Sequence, residues 1–167
     1  MKILTIDEAN SVLSGAGMKL GAWNEIVGEL GAAYVSFQPP DCGRFIFKFV
    51  EKTLEWMEPK TWLFVQFDNS TSPLDGQASV LDSLIGRAPG TWDIGHERSF
   101  IFENLDESSR TKVVLLTYFS ILFEWHIHVV SADELRRISV QDGVIYFIGS
   151  DQAVADGRAL ISTSTAD

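Results

Sequence analysis

The chain has a single cysteine, Cys42. That excludes an internal disulfide and a cysteine-rich metal site, and it suits a reducing compartment. As a nucleophile Cys42 would need a paired base, and the sequence places none beside it. Long apolar runs are absent as well. The longest uncharged one, Val113–Phe123, falls well short of the ~20 residues that a membrane-spanning helix needs. The opening run Ile3–Ile6 meets Asp7 and Glu8 at once, too short for a secretory leader. A cytoplasmic location is the expectation. Basic residues are scarce: 13 Lys and Arg stand against 23 Asp and Glu, a net charge of −10. This balance disfavours nucleic acid and anionic membranes as partners, and makes a basic protein the natural complement. Phosphate-binding loops are missing too, since Gly15-Ala-Gly17 has neither a third helix-opening glycine nor a Gly-Lys-Ser/Thr sequence.

What is present suffices for one hydrophobic core. The 167 residues are 46% hydrophobic and 11% aromatic, and no repeat, linker or low-complexity tract divides them. A single domain over residues 1–167 is expected.

Local patterns predict its elements. A helix starts near Asp7 and is closed by Gly15-Ala-Gly17. A second short helix is expected over Ala22–Leu30, stopped by Gly31. Ala33–Gln38 has the composition of a strand, ended by Pro39-Pro40. Phe45, Ile46, Phe49, Val50, Thr53, Leu54, Trp56 and Met57 recur at helical spacing, with Arg44, Lys48, Glu51, Lys52, Glu55 and Glu58 on the other face. They predict an amphipathic helix, with Asp41 as its N-cap and Pro59 as its stop. Thr61–Phe67 reads as a central strand opening into an exposed hydroxyl-rich loop, Asp68–Pro73. Ala78–Ile85 reads as a helix, Arg87–Thr91 as a turn and Ser99–Glu103 as a strand.

The stretch from Asp106 to Val130 is the expected centre of the core. Asp106 and Glu107 suit a helix start, whereas Val113, Val114, Thr117 and Ile121 suit a strand; helix is preferred for 107–122 because the apolar run exceeds the usual strand length. From Phe123 the period becomes two, with Trp125, Ile127 and Val129 on one face and Glu124, His126 and His128 on the other. Leu135–Val140 and Val144–Ile148 flank a hairpin turn at Asp142-Gly143. Ser150-Asp151 caps a last helix through Ala159, interrupted by Gly157, and the tail from 162 is expected to be loose. The sum is an α+β domain with a mainly antiparallel sheet of five to six strands and three to five helices.

Two groups of residues carry candidate functions. Glu124, His126 and His128 at alternate positions of a strand would point one carboxylate and two imidazoles the same way, with His96 as a possible fourth ligand. In those three residues the segment resembles the metal-binding motif of cupins, whose following carboxylate would be Asp133 or Glu134 here; the glycine-punctuated strands of cupins are absent. The alternative is a solvated strand face without a metal, and no cofactor is expected. His96-Glu97 beside Arg98 places no second catalytic group by spacing.

The other group is acidic. Between Thr61 and Ser109 stand eight carboxylates (Asp68, Asp75, Asp82, Asp93, Glu97, Glu103, Asp106, Glu107) against Arg87 and Arg98, a net −6. Such a region is either an ordinary soluble surface or a docking face. Four tryptophans, Trp23, Trp56, Trp62 and Trp125, lie in or beside apolar elements and are expected in the core. Trp92, among glycines and carboxylates, suits an interface anchor.

The order of a helix, the Phe123–Ser131 strand and the Val144–Ile148 hairpin is similar to that of small bacterial immunity proteins. The resemblance covers about the last 60 residues in general character. It implies a cytoplasmic protein that binds and neutralises a toxin, such as those of contact-dependent growth inhibition, the partner commonly being a basic nuclease domain. Asp68, Asp75, Trp92, Asp93 and Glu97 form the expected contact face, and no catalysis is implied. The competing reading is a metal-dependent enzyme or small-molecule binder using Glu124, His126 and His128.

Overall fold

In chain order, a computed structural model gives β1 (Lys2–Leu4), α1 (Ile6–Ser14), β2 (Met18–Leu20), β3 (Ile26–Gly28), β4 (Tyr34–Phe37), α2 (Gly43–Trp56) and β5 (Leu63–Phe67). There follow α3 (Asp75–Ile85), β6 (Ser99–Phe102), α4 (Glu107–Leu122), β7 (Ile127–Ser131), β8 (Arg136–Gln141), β9 (Val144–Ile148) and α5 (Asp151–Thr165). The structure describes residues 1–28, 33–57, 59–69, 71, 73, 75–88, 98–103, 105–131 and 136–165, without the side chain of Asp75. Seven strands form one antiparallel sheet in the order β1-β6-β5-β7-β8-β9-β4, and β2 and β3 form a separate hairpin. The α+β class with an antiparallel sheet is as expected, with more strands than the five to six predicted.

Alternation sorts the central strands between two layers. Leu63, Val65 and Phe67 of β5, Ile127 and Val129 of β7, and Ile138 and Val140 of β8 face the four helices α2 to α5. Phe64, Ile101 and Val130 face the other way, against α1 and the β2–β3 hairpin. With both faces covered, β5 and β7 are buried at every residue, which is why they read as nearly continuous apolar runs. On the helical side the rings of Phe49 and Trp56 meet Phe147 edge-on, with centroids 6.1 and 5.1 Å apart.

Helix prevails for 107–122. Asp106 caps α4 by accepting from the Ser109 amide at 2.8 Å, and the β-branched Val113, Val114, Thr117 and Ile121 turn to the core. The first helix begins one turn position earlier than predicted: Thr5 is the N-cap, in a reciprocal capping box with Glu8. At the start of α2 the cap is Cys42 rather than Asp41, and no side chain closes it. The Asp142-Gly143 turn forms as predicted, with both residues at positive φ, 50° and 75°.

Other expectations are corrected. The helix expected over Ala22–Leu30 is absent from its described residues, 22–28. Met18–Leu20 and Ile26–Gly28 pair as a hairpin whose tip turns at Asn24, φ 60°. Its alternation of buried Met18 and Ile26 with outward Lys19 and Val27 is too short to register against the helical reading. Trp23, expected in the core, stands at that tip 68% exposed. The tail is helical through Thr165, because Gly157 lets α5 lie against the Phe147 ring and continue: a Cβ there would be 3.2 Å from the Phe147 side chain. The loop after β5 is not simply exposed, since Asp68 and Thr71 are buried. The predicted turn at 87–91 falls mostly outside the described residues.

Candidate functional site

Strand register assembles a polar row that no local pattern announces. Ser99 of β6, Gln66 of β5, His128 of β7 and Ser139 of β8 are directly opposite one another on the α1 side of the sheet. The row continues through Tyr146 of β9 to Ser36 of β4. Its four central members are at most 3% exposed, and buried polar groups must find partners within the protein. Ser99 Oγ donates to Gln66 Oε1 at 2.6 Å, and Gln66 Nε2 donates to the Phe67 carbonyl at 2.9 Å. His128 Nδ1 and Ser139 Oγ share a hydrogen bond of 2.8 Å.

Asp68 and His126 extend the cluster at the ends of β5 and β7. Asp68 Oδ2 lies 3.3 Å from His126 Nδ1 and 3.9 Å from His128 Nε2. On its other side His126 Nε2 is 3.0 Å from Asp142 Oδ1 of the β8–β9 turn. Thr71 fixes the backbone there: its hydroxyl donates to the His126 carbonyl at 2.7 Å and accepts from the His126 amide at 3.1 Å. The Arg98 guanidinium donates to the Asp68 carbonyl. Burial drives the His128 pKa down to about 3, and the charges of Arg137 and His126 add to the effect. His128 is therefore neutral at physiological pH.

The β2–β3 hairpin packs on the same side of the sheet as this row and is tied down along its length. Arg137 Nη1 donates to the Ile26 carbonyl at 2.8 Å, the Asn69 amide to the Trp23 carbonyl at 2.7 Å, and Asn24 Nδ2 to Asn69 Oδ1 at 2.8 Å. Within the tip, Glu25 accepts from the Trp23 amide at 2.8 Å. The tip is thus braced while the indole projects into solvent.

Ser139, His128 and Asp68 follow one another as in a serine–histidine–carboxylate relay. The arrangement cannot work as one: Ser139 and His128 are sealed from substrate, the carboxylate is too far for a hydrogen bond, and a base with a pKa near 3 cannot activate a hydroxyl at neutral pH. Its chemistry is structural, orienting the cluster around His126, whose side chain is 20% exposed.

The predicted Glu124-x-His126-x-His128 face is corrected. Glu124 precedes β7 and is the left-handed residue that ends α4, with φ 57°. The Trp125 amide bonds the Ser120 carbonyl at 2.9 Å and the Glu124 amide bonds the Ile121 carbonyl at 3.5 Å, the pattern of a Schellman cap. Glu124 is spent on that turn and faces solvent. Its place beside the imidazoles is taken by Asp68, which sequence spacing could not pair with residues of a distant strand. Among the described residues no three histidine, cysteine or carboxylate side chains are placed to hold a metal ion. His96, Asp133 and Glu134 lie outside those residues.

The expected contact face is only partly described. Asp68 is 4% exposed, so its carboxylate serves the imidazoles and does not reach a partner surface. Asp82 is also buried, whereas Glu103, Asp106 and Glu107 at the start of α4 are exposed. Trp92, Asp93 and Glu97 fall outside the described residues, as does the side chain of Asp75. The residue that sequence reasoning missed is Trp23. Its signal was present in Gly21-Ala-Trp-Asn-Glu25, a turn-rich setting like that of Trp92.

The fold and this cluster define an α+β protein with a buried polar row and a braced hairpin on one side of its sheet. No family model matches the chain, and neither a curated protein nor a solved structure matches it. No described helix is long and apolar enough to cross a membrane.

Proposed function

We propose that this chain is an acidic binding protein that neutralises a cognate toxin by occluding it, the partner being a basic domain such as a nuclease and the place of action the cytoplasm. The observation that carries the reading is Trp23, 68% exposed at the tip of a hairpin anchored through Trp23, Asn24 and Ile26. Leaving an indole in water forgoes ~2–3 kcal/mol of burial, and a tip held in one conformation loses little entropy when it docks. Tryptophans of this kind dominate protein interfaces. The net charge of −10 would steer a basic partner and speed its encounter. Asp75, Trp92, Asp93 and Glu97 remain within the proposed contact set, joined by Trp23, and Asp68 leaves it.

The experiment is co-production with toxin-like domains encoded by the reading frames that neighbour this chain's own. Protection from growth arrest is expected with the native protein and is lost with Trp23→Ala, whose affinity should fall roughly 30-fold, the effect of a 2 kcal/mol hot spot. A native protein that gives no protection, or a Trp23→Ala variant that binds as tightly as native, would refute the reading.

A further inference from the structure

On the helical side of the sheet, away from the hairpin, α2 carries Arg44, Lys48 and Lys52 at four-residue intervals. One turn apart, they form a single stripe. The stripe lines a pocket of about 360 Å³ beside the end of α5, completed by Cys42, Phe45, Phe49 and Ser164. Three of the chain's 13 basic residues thus converge on one cavity in a protein of net charge −10. Lys52 Nζ reaches Ser164 Oγ at 3.5 Å. Among the described residues no carboxylate comes within ion-pair distance of the three cations.

The floor is aromatic. The Phe45 and Phe49 rings stack at 5.8 Å, 11° from parallel, and Phe37 tilts against both at 6.2 and 4.8 Å. The first turn of α2, which opens onto the same pocket at Cys42, has no side-chain cap, so the helix dipole adds to the positive potential. Like charges one turn apart repel, and an anion seated between them would relieve that repulsion. An apolar floor under a cationic wall matches a ligand with a flat body and a charged head.

We propose that the α2–α5 pocket binds a small aromatic anion, an aryl phosphate or aryl carboxylate, with its head group on Arg44, Lys48 and Lys52 and its ring over Phe45. The volume sits at the small end of ligand sites and admits one such molecule. The site lies across the sheet from Trp23, so it is independent of the toxin-binding reading.

Cys42, the only thiol and an exposed one, reports occupancy. Its thiolate attacks neutral 4,4′-dithiodipyridine, breaking the S–S bond, forming a mixed disulfide and releasing one pyridinethione. The rate is measured with 1-naphthyl phosphate, 1-naphthoate or inorganic phosphate present. Saturable protection by a naphthyl anion at concentrations at least tenfold below those of inorganic phosphate is expected, and the better of the two identifies the head group. Lys48→Gln should raise the half-protecting concentration about tenfold, the loss of one charge-assisted contact, while Lys112→Gln on α4 leaves it unchanged. Phe45→Ala should bring naphthyl phosphate down to the level of inorganic phosphate. Absence of protection, equal protection by inorganic phosphate, or a Lys48→Gln variant indistinguishable from native would overturn the proposal. So would protection by polyglutamate alone, which would make the stripe a docking face for an acidic chain.

Discussion

Acid should undermine this fold at one identifiable residue. His128 is neutral in the folded protein because its imidazole is buried. Around it stand Arg137 of β8, His126 of its own segment, Ser139, Gln66 and the Asp68 carboxylate at 3.9 Å. Its folded pKa of about 3 lies below the unfolded value near 6.5, so the unfolded chain takes up the proton first. The contribution to stability is whole above the unfolded pKa and is lost as pH falls toward the folded one. Linkage sets a limiting slope of ~1.4 kcal/mol per pH unit, which integrates to roughly 2 kcal/mol between about pH 6.5 and about pH 4.5. That is a large share of the ~5–15 kcal/mol typical of a domain. The assay is urea unfolding across this range for native protein and for His128→Asn, whose amide can still bond Ser139 but does not titrate. Carboxylates elsewhere act equally on both proteins, so the difference between the two curves isolates His128. Native protein should lose about 2 kcal/mol more than the variant over those two units; parallel curves would show that the buried imidazole does not govern acid stability.

Glu124→Gly should stabilise the protein by about 1 kcal/mol, since only glycine adopts the left-handed cap of α4 without steric cost; a lower urea midpoint would contradict the Schellman geometry. Gly28→Ala should do the opposite, because at φ 142° a Cβ would sit 2.5 Å from the carbonyl oxygen of Gly17, just before β2. A loss of roughly 2 kcal/mol or more is expected in urea titrations, together with faster hydrogen exchange at the Asn69 amide that binds the hairpin tip. For the complex with a toxin domain, stopped-flow association should slow steeply between low and high salt while dissociation changes little; an on-rate flat in salt would remove the role of the acidic charge.

Much of the architecture was legible because it is local. The aromatic stripe of α2, the Asp106 cap of α4, the apolar run of β5 and the Asp142-Gly143 turn each write their structure within a few neighbouring residues, and each formed. The hairpin at 18–28 was not legible, since three-residue strands carry too little alternation to outweigh helical spacing, and its stability comes from Arg137 and Asn69 far along the chain.

Composition and periodicity by themselves determined an acidic α+β chain, and they favoured helix over strand for 107–122 and placed His126 and His128 on the same side of the segment that follows. Those properties follow from side-chain chemistry and the geometry of single elements. Only the tertiary structure decided that Asp68 rather than Glu124 meets the imidazoles, that Ser99, Gln66, His128 and Ser139 line up in one sealed row, and that Trp23 is held out in water. Each of those outcomes depends on register and packing between segments remote in sequence, where one residue of slip would turn every side chain to the opposite face.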